Sequence, residues 1–165
     1  MIQTVVPEFD QEMANTRRVL ERVPEDKLAW QPHQKSMTLW RLATHVADLV
    51  GFVATVLETD GVDTAGRSGQ LPAAIGTRQE LLDRFDGNLS RARESLARAT
   101  NERMSQTWVR KRGDEVILEM TRTSVLRILM MNHLIHHRGQ LTVYLRLNDV
   151  PVPGMYGPSA DEHGS

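Results

Sequence analysis

The stretch NHLIHHRGQLTVYLR, residues 132–146, sets three histidines and two arginines into a run otherwise rich in leucine, isoleucine and valine. At about 100° per residue, His133 and His137 point about 40° apart and form an i, i+4 pair on one helix face. On the same wheel Leu126, Leu129, Met130, Gln140, Leu141 and Tyr144 fall within about 80° of His133. This predicts that the pair lies inside an apolar stripe and faces a protein interior. His136 falls about 60° to the other side. Spacing alone therefore allows a 133/137 or a 133/136 pair, of which the first is better centred on the stripe.

A second histidine is placed in the same way. In TLWRLATHVADLVGFV, residues 38–53, His45 shares its face with Leu42, Leu49, Phe52, Val53 and, one turn on, Val56. Each buried polar group left without a partner costs about 1–3 kcal/mol. Inward imidazoles therefore need hydrogen-bond partners in the core or a common ligand. Neutral imidazole is the commonest metal ligand, and three of them from two helices suit one divalent transition metal, with a position left for water or substrate. The chain has no cysteine, so any metal must be held by His, Asp or Glu. There is neither a His-Glu-x-x-His sequence nor the paired Glu-x-x-His of a carboxylate-bridged di-iron bundle.

The rest of the chain supplies the partners such helices need. Val6, Phe9, Met13, Thr16, Leu20 and Val23 recur at helical spacing and predict a first helix over about 3–23, ended by Pro24. Ser36 or Thr38 offers a cap for the second helix, which runs to about Thr59. The stretch DGVDTAGRSGQLPAAIG, residues 60–76, is a long candidate loop. Thr77 and Glu80 fit a capping box for a third helix over about 78–100. TWVRKRGDEVILEM alternates around Arg112-Gly113-Asp114 and reads as a small hairpin or an extended crossover. A fourth helix covers about 122–148, and a tail rich in proline and glycine begins at about 149. Four amphipathic helices point to an all-α four-helix bundle, one domain over residues 1–165. If the connections before the second and fourth helices cross the bundle, up-down-up-down order is not required.

Composition limits the partners. With 20 basic and 21 acidic residues the formal charge is −1, which gives no whole-molecule attraction for nucleic acid or an acidic membrane. No segment approaches about 18 consecutive apolar residues, and no signal-like N-terminus is present, so the cytoplasm is the expected location. The RKRG run, residues 110–113, reads as a solvated turn.

Three segments, WRLATHVADL (40–49), NHLIHHRGQLTVYLR (132–146) and VPVPGMYGPSADE (150–162), resemble the DinB-like family, related to the YfiT-type metal-dependent hydrolases. The HxxxHRGQ segment is the most specific part, and the resemblance covers nearly the whole chain. It implies up-down-down-up connectivity, frequent homodimers, and one metal held by His45, His133 and His137, which decides against His136. It also implies zinc or nickel as the metal, and either hydrolysis or S-transfer with a low-molecular-weight thiol cosubstrate such as bacillithiol, mycothiol or glutathione. Three neutral ligands leave the metal its full charge, which suits both chemistries. The substrate is then a small molecule. The rival reading is a non-catalytic, stress-associated metal-binding or structural protein, and a third is a metal-free bundle with hydrogen-bonded core histidines.

Other polar residues have paired readings. Asp48 either orients an imidazole or is an unrelated surface carboxylate. His136 either supports the centre or is structural, and Arg138 either binds an anionic substrate or forms an ion pair within the bundle. Gln140 and Tyr144 share the ligand face and are expected to line the cavity or pack helices. Tyr156 and Asp161 close over the site if the tail folds back. His33 and His163 are not assigned to the metal, and Trp30, Trp40 and Trp108 are expected to be packing anchors.

Overall fold

The computed structural model describes residues 2–66 and 76–162, with side chains from Val6 onward. His163 and the middle of the glycine-rich loop lie outside the described residues. The elements run α1 (Ile2–Leu20), a 3-10 turn (Glu25–Lys27), α2 (Leu39–Glu58), β1 (Gly61–Asp63), α3 (Arg78–Arg98), α4 (Asn101–Ser105), β2 (Thr107–Arg112), β3 (Glu115–Thr121) and α5 (Arg122–Val125). A π-helical segment (Leu126–Asn132) then leads directly into α6 (His133–Leu147).

Local chemistry sets the helix starts. The Thr38 hydroxyl accepts from the Arg41 amide at 3.2 Å, so Thr38 rather than Ser36 caps α2. Thr77 and Glu80 form the expected capping box of α3. At the other end of α2 the last carbonyls would be left unpaired by the helix itself. Arg122, only 1% exposed, covers them, donating to the carbonyls of Val56 at 3.0 Å and Thr59 at 2.9 Å and pairing with Asp60 at 2.5 Å.

Side-chain pairs fix the helix directions. Going along α2, Asp48 and Glu58 pair with Arg84 and Arg98 in rising order on α3, so these helices are parallel. Asp10 and Arg17 of α1 meet Arg93 and Asp86, so α1 and α3 are antiparallel. Glu8 and Glu12 meet Arg127 and Arg138, which makes α1 parallel to the last helix. His45 faces His133 while Val56 faces Arg122, so α2 runs against it. The bundle is therefore up-down-down-up. Phe9, Met13 and Leu20 of α1, Leu42, Val46 and Val53 of α2, Leu81 and Phe85 of α3, and Leu134 and Leu141 of α6 are all buried at its centre.

The hairpin is present and belongs to a three-stranded sheet in the order β1-β2-β3. β2 and β3 pair antiparallel, with an irregularity at Arg110/Lys111. Gly113 makes the turn with φ of 61°, a conformation in which glycine carries no Cβ penalty. β1 pairs parallel with β2 through Gly61 and Val109, a strand not expected from the loop composition. A Cβ on Gly61 would stand 2.3 Å from the Val109 carbonyl oxygen, so glycine permits this contact.

No described segment is an uninterrupted apolar run of membrane-spanning length, since α2 itself carries Arg41, His45 and Asp48. Among the described residues Leu39–Glu58 alone is long and apolar enough by composition to cross a membrane, yet more than half of that window is buried within the bundle. It is the central core helix.

Candidate metal centre

The three expected histidines come together at the seam between α2 and α6. Nε2 of His45 lies 3.4 Å from Nε2 of His133, which lies 2.9 Å from Nε2 of His137. The three candidate ligand atoms all fall within 4.8 Å of one another, and each residue is partly buried. Two nitrogens each about 2.0–2.1 Å from a tetrahedral zinc stand about 3.3 Å apart, so these spacings fit a single ion. Among the described residues this is the group whose donors could hold a metal ion.

Protonation favours the same use. Burial, followed by repulsion from His137, His133 and Arg41, pushes the His45 pKa from 6.5 down to about 4. Burial also lowers the pKa of His137, with a hydrogen bond to Gln140 acting the other way. Both rings are therefore neutral near pH 7. The Nδ1–H of His137 donates to Oε1 of Gln140 at 2.7 Å. That bond assigns the proton to Nδ1 and leaves the Nε2 lone pair directed at the other two histidines, as a metal ligand requires.

The centre sits at a rim and not, as the helical wheel predicted, inside the apolar stripe. On α6 the buried positions are Leu134, Arg138, Leu141 and Leu145, one residue round from the ligand face. Gln140 is exposed, and His133, His137 and Tyr144 are half-buried. The cause is the π-helical segment just upstream, whose wider turns break the 100° arithmetic between Leu126 or Met130 and the histidines. His45 is likewise half-buried at the edge of the otherwise apolar α2 stripe.

The remaining candidates separate by position. Asp48 does not reach an imidazole; its carboxylate pairs with both ends of the Arg84 guanidinium on α3. His136 is exposed, with its ring centroid 4.9 Å from that of His137. Tyr144 packs edge-on against Trp30 at 5.4 Å. Arg138 is only 2% exposed and turns to the other side of α6, where it pairs with Glu12 at 2.6 Å and donates to the Tyr156 hydroxyl at 2.7 Å. Tyr156 in turn donates to Glu12 at 2.9 Å. The tail does fold back, but over this ion pair and not over the histidines. Asp161 pins the tail through Arg146 and the Val152 amide. The residue that sequence reasoning missed is Arg41, whose charge acts on His45. Its i−4 spacing from His45 was the available signal.

Comparison with known proteins agrees with this architecture. The chain matches the DinB family over residues 1–164, and it belongs to that family. YrdA of Bacillus subtilis strain 168, an uncharacterized protein, is 24% identical over 147 residues, covering 89% of this chain and 83% of YrdA. Among solved structures, a DinB-like protein from B. subtilis superposes with a TM-score of 0.71 at 20% identity, covering 92% of this chain and 97% of that one. Another from Bacillus cereus ATCC 10987 gives 0.72 at 19% identity, with coverages of 92% and 95%. At these identities the structural likeness concerns the fold.

Proposed function

We propose that His45, His133 and His137 hold one divalent transition metal, zinc or nickel, and that the protein is a metal-dependent enzyme acting on a small molecule by hydrolysis or by transfer to a low-molecular-weight thiol. The observation that carries this reading is the convergence of three Nε2 atoms whose spacing suits one ion, with His137 held in the ligating tautomer by Gln140. Bound there, the metal would supply Lewis acidity, lowering the pKa of a water or thiol toward neutrality.

The chain supplies the rest. Neutral histidines add no negative charge, and Arg41 beside His45 contributes a positive one, so the mouth of the site favours an anionic nucleophile or substrate. The half-burial of all three histidines supports an accessible position. Gln140 keeps the His137 ring from rotating. Asp48 is engaged by Arg84, which supports a nucleophile supplied by water or thiol and not by an Asp48 general base. The exposed Val143 and Leu147 on α6 support a homodimer, which light scattering tests. A cytoplasmic location accords with a reduced thiol cosubstrate.

The deciding experiment is metal analysis by mass spectrometry on untagged protein purified without chelator, beside His137→Ala. About one equivalent in the wild type, lost in the variant, is expected. Empty protein even after metal supplementation would sink the reading. Loaded protein is then offered thiols with electrophiles, and esters or amides. Among the described residues, the lack of a carboxylate free to act as general base beside the triad, with Asp48 held by Arg84, favours one second reading, a non-catalytic metal-binding protein. Stoichiometric metal without turnover on either substrate panel would establish that alternative.

A further inference from the structure

A separate cavity of about 230 Å³ lies in the bundle, away from the histidines. Phe9, Val53, Leu96 and Met104 wall it from α1, α2, α3 and α4, while Leu126, Met130 and Met131 close it from the π-helical segment. It opens at one edge, so its apolar walls are left for an apolar occupant to cover.

Its chemistry makes it a poor host for water. Buried water needs two to four polar partners, and the polar groups at this cavity are committed elsewhere. The Thr123 hydroxyl donates to the Met104 carbonyl at 2.9 Å. At the edge, Arg127 pairs with Glu8. The walls are otherwise hydrocarbon and thioether, and three of them are methionines, whose flexible side chains adapt to varied shapes. An engineered apolar cavity of about 150 Å³ binds benzene or xenon, so this larger one has room for more.

We propose that the cavity is a binding site for an uncharged, largely hydrocarbon molecule somewhat larger than benzene, such as an alkyl-substituted aromatic ring. The ligand enters past the Arg127–Glu8 pair and packs against the methionines of the π-helical segment. The site is distinct from the histidine centre, and its occupancy does not depend on metal.

Ethylbenzene is the probe, added to the full-length wild-type chain and followed by thermal unfolding. A saturable rise in Tm of about 3–6 °C is expected once the probe exceeds its dissociation constant about tenfold. Val53→Phe and Leu126→Phe fill the space and are expected to abolish the rise. Because either filler could fail to fold, a second reading uses the wild type alone, with methyl-labelled methionine. Of the eight methionines, the resonances of Met104, Met130 and Met131 are expected to move. The absence of both a Tm rise and a methionine perturbation at the solubility limit of the probe would overturn the proposal. So would equal perturbation of Met13, Met37, Met120 and Met155, or an undiminished Tm rise in folded fillers.

Discussion

His137 and Arg138 are neighbours in the chain, yet they serve two polar clusters built on opposite rules. Arg138 is buried with a full set of partners: the Glu12 carboxylate and carbonyl, the Thr16 hydroxyl and the Tyr156 phenol. His137 is half-buried among two other imidazoles that all present the same kind of nitrogen to one point. Nothing remains for a ligand to satisfy in the first cluster. In the second, three imidazole nitrogens converge on one point. A protein that buries charge must close the network from within, whereas one that reserves a site leaves like groups facing each other.

The largest expected effect lies on the closed side. Arg138→Ala leaves Glu12 buried without its cation and is expected to cost about 3–5 kcal/mol in urea unfolding; a loss below about 1 kcal/mol would dissolve the contrast. On the open side, His137→Ala is expected to change metal-free stability little. Zinc at a hundredfold excess over its dissociation constant stabilises the wild type by about 2.7 kcal/mol, and this gain should vanish in the variant. Equal stabilisation of both by zinc would place the ion elsewhere.

Smaller changes sharpen the comparison. Gln140→Ala frees the His137 ring and is expected to weaken metal binding about 10–100-fold, or about 1.4–2.7 kcal/mol, as measured by competition with a chromophoric chelator. Unchanged affinity would show that helix packing alone orients the ring. Tyr156→Phe removes one hydroxyl from the closed network and is expected to cost about 1 kcal/mol, with no effect on metal stoichiometry. A further effect is in acid. The folded pKa of His45 is about 4 against 6.5 for the free side chain, so the unfolded chain binds the proton first. The contribution of His45 is complete above about pH 6.5 and is lost as pH falls through about 4. Tm of metal-free protein followed over that window should fall more steeply than in His45→Gln.

The His133/His137 pair was legible in local helix geometry, which left His136 open; the resemblance carried by HxxxHRGQ singled out the triad with His45. His133 and His137 are separated by four residues of regular α-helix, so nothing intervenes to alter their relation. The facing of the triad was not legible. It depends on the π-helical segment at 126–132, whose onset no residue type in LRILMMN announces. The four helices followed from apolar periodicity and the capping box, but β1 did not, since Gly61–Asp63 becomes a strand only by pairing with β2. Arg122 looks like a surface charge in sequence, while Arg138 was open to an anionic substrate or an ion pair within the bundle. Their burial is decided by acceptors far along the chain, Val56 and Glu12.

The π-helical segment also makes the register of the last helix a shared resource. Leu126 and Met130 serve the core ahead of it, and His133 and His137 serve the centre behind it. Its extra backbone per turn is the slack that lets both be satisfied by one continuous helix. A single residue removed from that slack is absorbed as the segment tightens to regular α-helix, and His133 and His137 still face His45. The same deletion in a regular helix would turn the later half by about 100°.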